Sequence, residues 1–303
     1  MVSRARGGNA SGSSETSDIE TETTMKILVT GASGGVGYEL TAQLAAAGHE
    51  VRAMSRRPPS GTVPGVESFV GDPADASVFR KALADVDGVF VNSVFLDSAR
   101  TAEKVSRIVS EKATPRIALL SSLCTFTRRG DLAYADHLGG IVDAFRALNP
   151  RTVSVHPGQF ATNVLNWRPM LKDGKVVHPF GDVRVPVIDP HDIAAVAKAG
   201  LTEDGHEGES LKISGVDSPS PREKVAIIAE ATGRAIDFEE SSEDEARTHL
   251  SRSMGPDLLD YYITMHGYPK PAEQEILPTV ETLTGERPRT FRQWLTNNLA
   301  AFE

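Results

Sequence analysis

Four glycines fall within seven positions of KILVTGASGGVGYEL, residues 26–40: Gly31, Gly34, Gly35 and Gly37. Lacking Cβ atoms, such a loop lets backbone N–H groups press against an anion at the positive end of the following helix. A tight turn with close helix–sheet packing is the plainer reading, but it does not call for glycine at every third position. A strand before the loop, a helix after it and a second strand next are the context of a dinucleotide pyrophosphate site. Gly31, Ser33, Gly34, Gly35, Val36 and Gly37 are therefore its candidate contacts.

Cofactor choice is read where the second strand ends. An acidic residue there bonds the ribose 2′-hydroxyl of NAD, whereas a cation accommodates a 2′-phosphate. The sequence has MSRRP, with Ser55, Arg56, Arg57 and no carboxylate. Guanidinium groups give bidentate, charge-assisted bonds to phosphate, so NADP(H) is expected in preference to NAD(H). Two solvent-facing arginines on a loop are the alternative.

The elements that must position these residues alternate regularly. KILVT, HEVRAMS, VESFVGD, DGVFVNS, RIALLSS and RTVSVHPG read as six strands, with helical spacing between them, as in DASVFRKALADV and AEKVSRIVSEK. That order implies βαβ units, a parallel sheet and right-handed crossovers. The predicted fold is α/β, a Rossmann-type doubly wound parallel sheet, with the dinucleotide-binding core over residues 25–158. Residues 159–303 are expected to complete the core and form a smaller, mostly helical substrate lobe. Ser220, Pro221 and Glu223 make a capping box and Gly233 a stop; Ser242 and Glu245 repeat the device. The acidic run from Glu239 to Glu245 thus reads as a solvated helix entry.

Composition narrows the function. The 303 residues are 40% hydrophobic and 24% charged, ordinary for a soluble globular protein, and no apolar run suits a membrane span. A net charge of -9 argues against nonspecific nucleic-acid binding. The single cysteine, Cys124, reads as a buried core thiol and suits a cytoplasmic protein. The eight histidines show no metal-ligand spacing, so no metal is expected. Residues 1–24, rich in Ser, Thr, Gly and Glu, read as a disordered extension or an upstream start, not a secretory signal.

The TGxxGxxG form of the loop, with Thr30 before it, resembles the short-chain dehydrogenase/reductase superfamily. Residues 25–58, VESFVGDPADASVFRKALADVDGVFVNS, VSVHPGQFATNVL and the closing GERPRTFRQWLTNNLAAF resemble its NmrA-like atypical branch. That branch includes quinone reductases, triphenylmethane reductases and nucleotide-sensing regulators. The resemblance places Asp72 at the adenine edge, with a helix cap beside Pro73 as the bland role. It runs Asn92 and Ser93 along the cofactor and sets Pro157 and Gly158 beside the nicotinamide.

Better-known members of the superfamily use a serine, a tyrosine, and a lysine four residues after the tyrosine. Ser121 or Ser122 and Tyr134 fit, but Leu138 stands where the lysine is expected, so the triad is broken. Without that cation the tyrosine pKa stays near about 10. His137, opening the run HLGGIVDAFRAL, reads either as a proton-transfer group or as a capping and packing residue. Atypical members often pass hydride directly to a conjugated acceptor, where orientation supplies much of the rate. Phe160, Asn163 and Trp167 are candidate substrate contacts, with lobe packing the alternative for the two aromatics. DPHDIAAVAKAGL reads as a structural helix. SMGPDLLDYYITMHGYP, with Met254, Tyr261, Tyr262, Met265 and His266, reads as lobe core or as a cover on the pocket.

The resulting expectation is an NADPH-dependent reductase of a small conjugated carbonyl or quinone-like substrate, acting as a monomer or homodimer. A non-catalytic dinucleotide-sensing regulator is the alternative, and an epimerase or dehydratase with tightly held NAD a third.

Overall fold

The protein is described by a computed structural model covering residues 23–58, 63–111 and 116–302. The predicted N-terminal extension lies, but for its last two residues, outside the described residues. Among them, seven strands form one parallel sheet: β1 (Lys26–Thr30), β2 (Glu50–Ser55), β3 (Glu67–Val70), β4 (Gly88–Asn92), β5 (Arg116–Leu120), β6 (Val153–Pro157) and β10 (Ser210–Ile213). Their order, β10-β6-β5-β4-β1-β2-β3, reverses direction at β1 and β4, the place where open sheets bind ligands. Ile27 and Val29 of β1 point to one face and Leu28 to the other, the period of two that buries a strand on both sides.

Helices cover both faces. On one lie α1 (Gly35–Ala46) and α7 (Pro190–Thr202), packed through Leu40, Leu44, Ile193 and Ala197. On the other lie α2 (Ala76–Ala82), α3 (Ala99–Ser110) and α5 (Ala133–Leu148), contributing Phe79, Val105, Ile108, Ile141 and Phe145. A short turn of helix, α4 (Cys124–Thr127), precedes α5. Cys124 is fully buried, and that burial pushes its thiol up to about 11, as a core role requires.

The remaining elements are mostly helical, as expected, with short strands among them. Two small parallel pairs, β7 (Gln159–Phe160) with β9 (Val187–Ile188) and β8 (Lys175–His178) with β11 (Asp237–Glu240), accompany α6 (Arg168–Lys172), α8 (Pro221–Thr232), α9 (Glu243–Leu250) and α10 (Pro256–Gly267). The chain closes through α11 (Pro271–Gln274), α12 (Thr279–Thr284) and α13 (Phe291–Asn297). Both capping boxes form, and Gly233 ends α8 at φ 65°, a left-handed position that favours glycine. Trp167, Val225, Phe291 and Trp294 fill a separate core there.

Candidate active site

The glycine loop is built by close approach. Gly31 has φ 68°, and a Cβ on it would sit 3.1 Å from Asn92 Nδ2. A Cβ on Gly37 would lie 2.3 Å from the Gly31 carbonyl oxygen, so the first turn of α1 rests directly on the loop. Gly34 caps α1 with no side chain to accept from its first amides. Thr30 joins the floor: its hydroxyl donates to Phe90 O at 3.0 Å and accepts from Asn92 N at 2.9 Å, fastening the ends of β1 and β4 together.

Two cavities meet at Asn92. The first, about 550 Å³, is bordered by Gly31, Ser33, Gly34, Ser55, Arg56 and Arg57. Ser55 Oγ donates to Arg57 O at 2.5 Å and shapes the turn that carries both guanidinium groups. Both arginines are exposed, with no ion pair to any described residue. Asp72 is exposed and accepts from Ala74 N at 2.9 Å. The helix cap expected of it belongs to Asp75, which accepts from Ser77 N and Val78 N, while Pro73 borders the cavity.

The second cavity, about 320 Å³, has a floor of Gly35, Val36, Ser93, Ser121, Ser122 and Gly158, and a wall of Tyr134 and Leu138. Ser121 Oγ is buried with no hydrogen-bond partner among the described residues. Burial, and next the nearby Cys124 thiol, hold the Tyr134 hydroxyl above the ordinary tyrosine range. Its ring centroid is 4.8 Å from that of Tyr261, whose hydroxyl is 3.5 Å from Ser122 Oγ.

Three of the expected site residues stand off both cavity linings. His137 does not open a helix: α5 starts at Ala133, so His137 lies inside it and borders neither cavity. Trp167 is buried in the lobe core, its ring centroid 5.1 Å from His178, and does not border the second cavity. Pro157 is buried at the end of β6, where its carbonyl accepts from Leu123 N at 2.9 Å, so it supports the Ser121–Ser122 segment from behind. Phe160 and Asn163 do border the second cavity.

Helix α10 closes that cavity with Tyr261, Tyr262, Met265 and His266, the cover reading of its segment; Met254 stands elsewhere. Gln159 Nε2 donates to Met265 O at 2.9 Å and pins the helix over the site. Gln159, Asn166 and Leu258 were not legible as site residues, because only contacts between distant segments bring them there. His178 Nδ1 donates to Pro179 O at 2.6 Å, leaving Nε2 to accept from the Tyr262 hydroxyl at 2.8 Å. His266 Nδ1 donates to Tyr262 O at 2.7 Å. Burial depresses both imidazoles, His178 to about 4 and His266 to about 3, so both are neutral at pH 7.

Glycines that leave no room for Cβ atoms, an unpartnered buried hydroxyl and two unpaired arginines on one cleft fit a dinucleotide. Sequence comparison agrees: residues 31–149 match a family described as NAD(P)H-binding. A (4-alkanoyl-5-oxo-2,5-dihydrofuran-3-yl)methyl phosphate reductase of Streptomyces griseus is 34% identical, over 91% of this chain and 99% of that protein. An NAD(P)H azoreductase of Xenophilus azovorans is 26% identical over 91% of this chain and 99% of its own length. An NADPH-dependent quinone oxidoreductase of Escherichia coli, solved with NADPH, has a TM-score of 0.73 at 20% identity, covering 90% of this chain and 99% of that one. NmrA, a negative transcriptional regulator solved with NADP, shares the fold at a TM-score of 0.69 and 16% identity, covering 90% and 94% of the two chains.

The chain belongs to the family of the Streptomyces griseus reductase, carries an NAD(P)H-binding domain over residues 31–149, and shares its fold with NmrA and the quinone oxidoreductase. Within that family, this protein is an NAD(P)H-dependent reductase. No helix among the described residues is long and apolar enough to cross a membrane.

Proposed function

We propose that the protein binds NADP(H) and reduces a small conjugated carbonyl or quinone-like acceptor in the cavity under α10. The observation supporting this most is the placement of that cavity. Its floor continues from the glycine loop across the carboxyl ends of β4, β5 and β6, and its roof is aromatic and uncharged. Once bound, the dinucleotide supplies a hydride. The loop and the first turn of α1 would hold its pyrophosphate, Arg56 and Arg57 its 2′-phosphate, and Ser93, Ser121 and Gly158 its reactive end.

The chain's own groups orient and polarise the acceptor. Burial, with no lysine at Leu138, keeps Tyr134 protonated, so its hydroxyl donates a hydrogen bond to the acceptor oxygen, and the proton that balances the hydride comes from solvent. Ser122 and Tyr261 supply further hydroxyls on the same side. A conjugated acceptor needs little more, since correct orientation alone is worth several powers of ten in rate. The names of the two relatives are in keeping with a conjugated acceptor: one is a reductase of an (alkanoyl-oxo-dihydrofuranyl)methyl phosphate, the other an azoreductase.

The test mixes purified protein with NADPH or NADH and a panel of quinones, enones and aldehydes, following loss of the reduced-nicotinamide absorbance. Turnover of conjugated acceptors, faster with NADPH, is expected. Tight NADP(H) binding with no oxidation across the panel would overturn the reading and favour a dinucleotide sensor.

A further inference from the structure

We propose that a third cavity, in the lobe, is a subsite for an uncharged alkyl or acyl tail on the acceptor whose head lies under α10. This rests on the reductase reading given above. The cavity is about 490 Å³ and is separate from the cofactor cleft. Asn166 and Tyr262 border both it and the acceptor cavity, so the two cavities adjoin across these side chains.

The Tyr262 hydroxyl is engaged by His178, and its ring stacks on His266 with centroids 4.0 Å apart, so this side chain is fixed where the two cavities adjoin. One side of this cavity is apolar and adaptable, made of Trp167, Met170, Val177, Leu250 and Met254, while Ser241, His249 and two glutamates lie on its polar side. Unbranched methionines adjust to chains of varying length, as at other surfaces that accept flexible apolar ligands.

Charge settles the chemical class. Among the described residues the lining includes no lysine or arginine, and its two carboxylates are already engaged. Glu239 pairs with Lys175, and Glu245 accepts from Ser242 N at 2.9 Å and Ser242 Oγ at 2.8 Å. A tail ending in carboxylate or phosphate would meet two carboxylates and find no lysine or arginine on the lining to bind it. The head fits a cavity of about 320 Å³. The tail continues past Tyr262 into the lobe.

The experiment is a chain-length series of 2-alkyl quinones, from methyl through butyl and hexyl to octyl, assayed with NADPH. Each methylene that enters the subsite should raise kcat/KM by about fourfold until the cavity fills. An octyl chain ending in a carboxylate should lose most of that gain. In Met254→Trp and, separately, Leu250→Trp, the octyl-to-methyl ratio should fall to within about twofold of one. A flat series in the wild-type protein, or a ratio that both variants retain, overturns the subsite.

If no acceptor of any length is reduced, the reductase reading fails, and the subsite is then decided by binding. Saturated 2-alkyl cyclohexanones of the same lengths are titrated against tryptophan emission, with Trp167→Phe as the reference. Affinity rising with chain length supports the subsite, and affinity independent of length overturns it.

Discussion

Arg56 and Arg57 stand exposed at the end of β2 with no carboxylate to share. Charge-assisted bonds of this kind are worth about 1.5–3 kcal/mol each. Arg56→Asp should therefore weaken NADPH about a hundredfold and NADH by only a few-fold, measured by fluorescence titration. Equal losses would mean that the arginines do not read the 2′-phosphate. Lys224 presents the opposite situation, a cation taken out of water. Burial lowers its pKa from 10.5 to about 8, against a smaller raising effect from Asp217. The unfolded chain holds that proton more tightly, so stability falls as the pH drops from about 10.5 to about 8 and the full penalty is present at pH 7. Lys224→Met should raise unfolding free energy by about 2–3 kcal/mol at pH 7 and by almost nothing above pH 10.5, by urea denaturation at both values. Arg56 and Arg57 were legible because their role follows from position after a strand. In SPREKVAIIAE, Lys224 looks like any solvent-facing helix residue, since its burial is imposed by segments far off in sequence.

Helix α1 can start where it does only because Gly37 lets it lie on the loop. Gly37→Ala would drive a methyl to 2.3 Å from the Gly31 carbonyl oxygen. A loss of at least about 2 kcal/mol in stability and a large drop in NADP(H) affinity are expected, by thermal melting and titration. Gly140, inside α5, has open space around its Cβ position. Gly140→Ala should stabilise by about 0.5–1 kcal/mol, which separates a packing glycine from a merely tolerated one. The sheet and its helices were readable at this scale because hydrophobic period and capping boxes are local signals. The sequence pattern places the start of α5 four residues late for a physical reason. Its cap, Leu132, has no side chain that accepts from the first turn, so no Ser, Thr, Asp or Asn marks the boundary.

A buried ion pair ties the core to the segment following the cavity roof. Arg128, just after α4, donates from Nε to Glu273 Oε1 at 2.7 Å and from Nη2 to Glu273 Oε2 at 2.7 Å. Arg128 Nη2 also reaches Tyr268 O, just beyond α10, at 2.5 Å. The two side chains are 8% and 2% exposed, so each is compensated almost entirely by the other. Glu273→Gln should cost about 3–5 kcal/mol, seen as a melting temperature lower by roughly 10 °C. Arg128→Met combined with Glu273→Leu should recover most of that loss, because no charge is then stranded. None of this was visible beforehand. The glycine loop is one continuous stretch, whereas the roof is assembled from pairs such as Gln159 with Met265, whose proximity only the folded chain creates.

Leu138 puts an uncharged side chain on the wall of the acceptor cavity, with a consequence for how the protein meets changes in its surroundings. The ionisable side chains bordering the acceptor cavity are Tyr134, Tyr261, Tyr262 and His266. Burial holds the three phenols above their ordinary range and the imidazole down at about 3. None of them changes charge between about pH 5 and 7.5, so kcat/KM should run level across that window where a titrating catalytic pair would give a bell. A pH–rate profile with a slope of one in that interval would contradict this. A level profile describes a catalyst whose output is indifferent to acidification, set by the supply of reduced cofactor and acceptor alone.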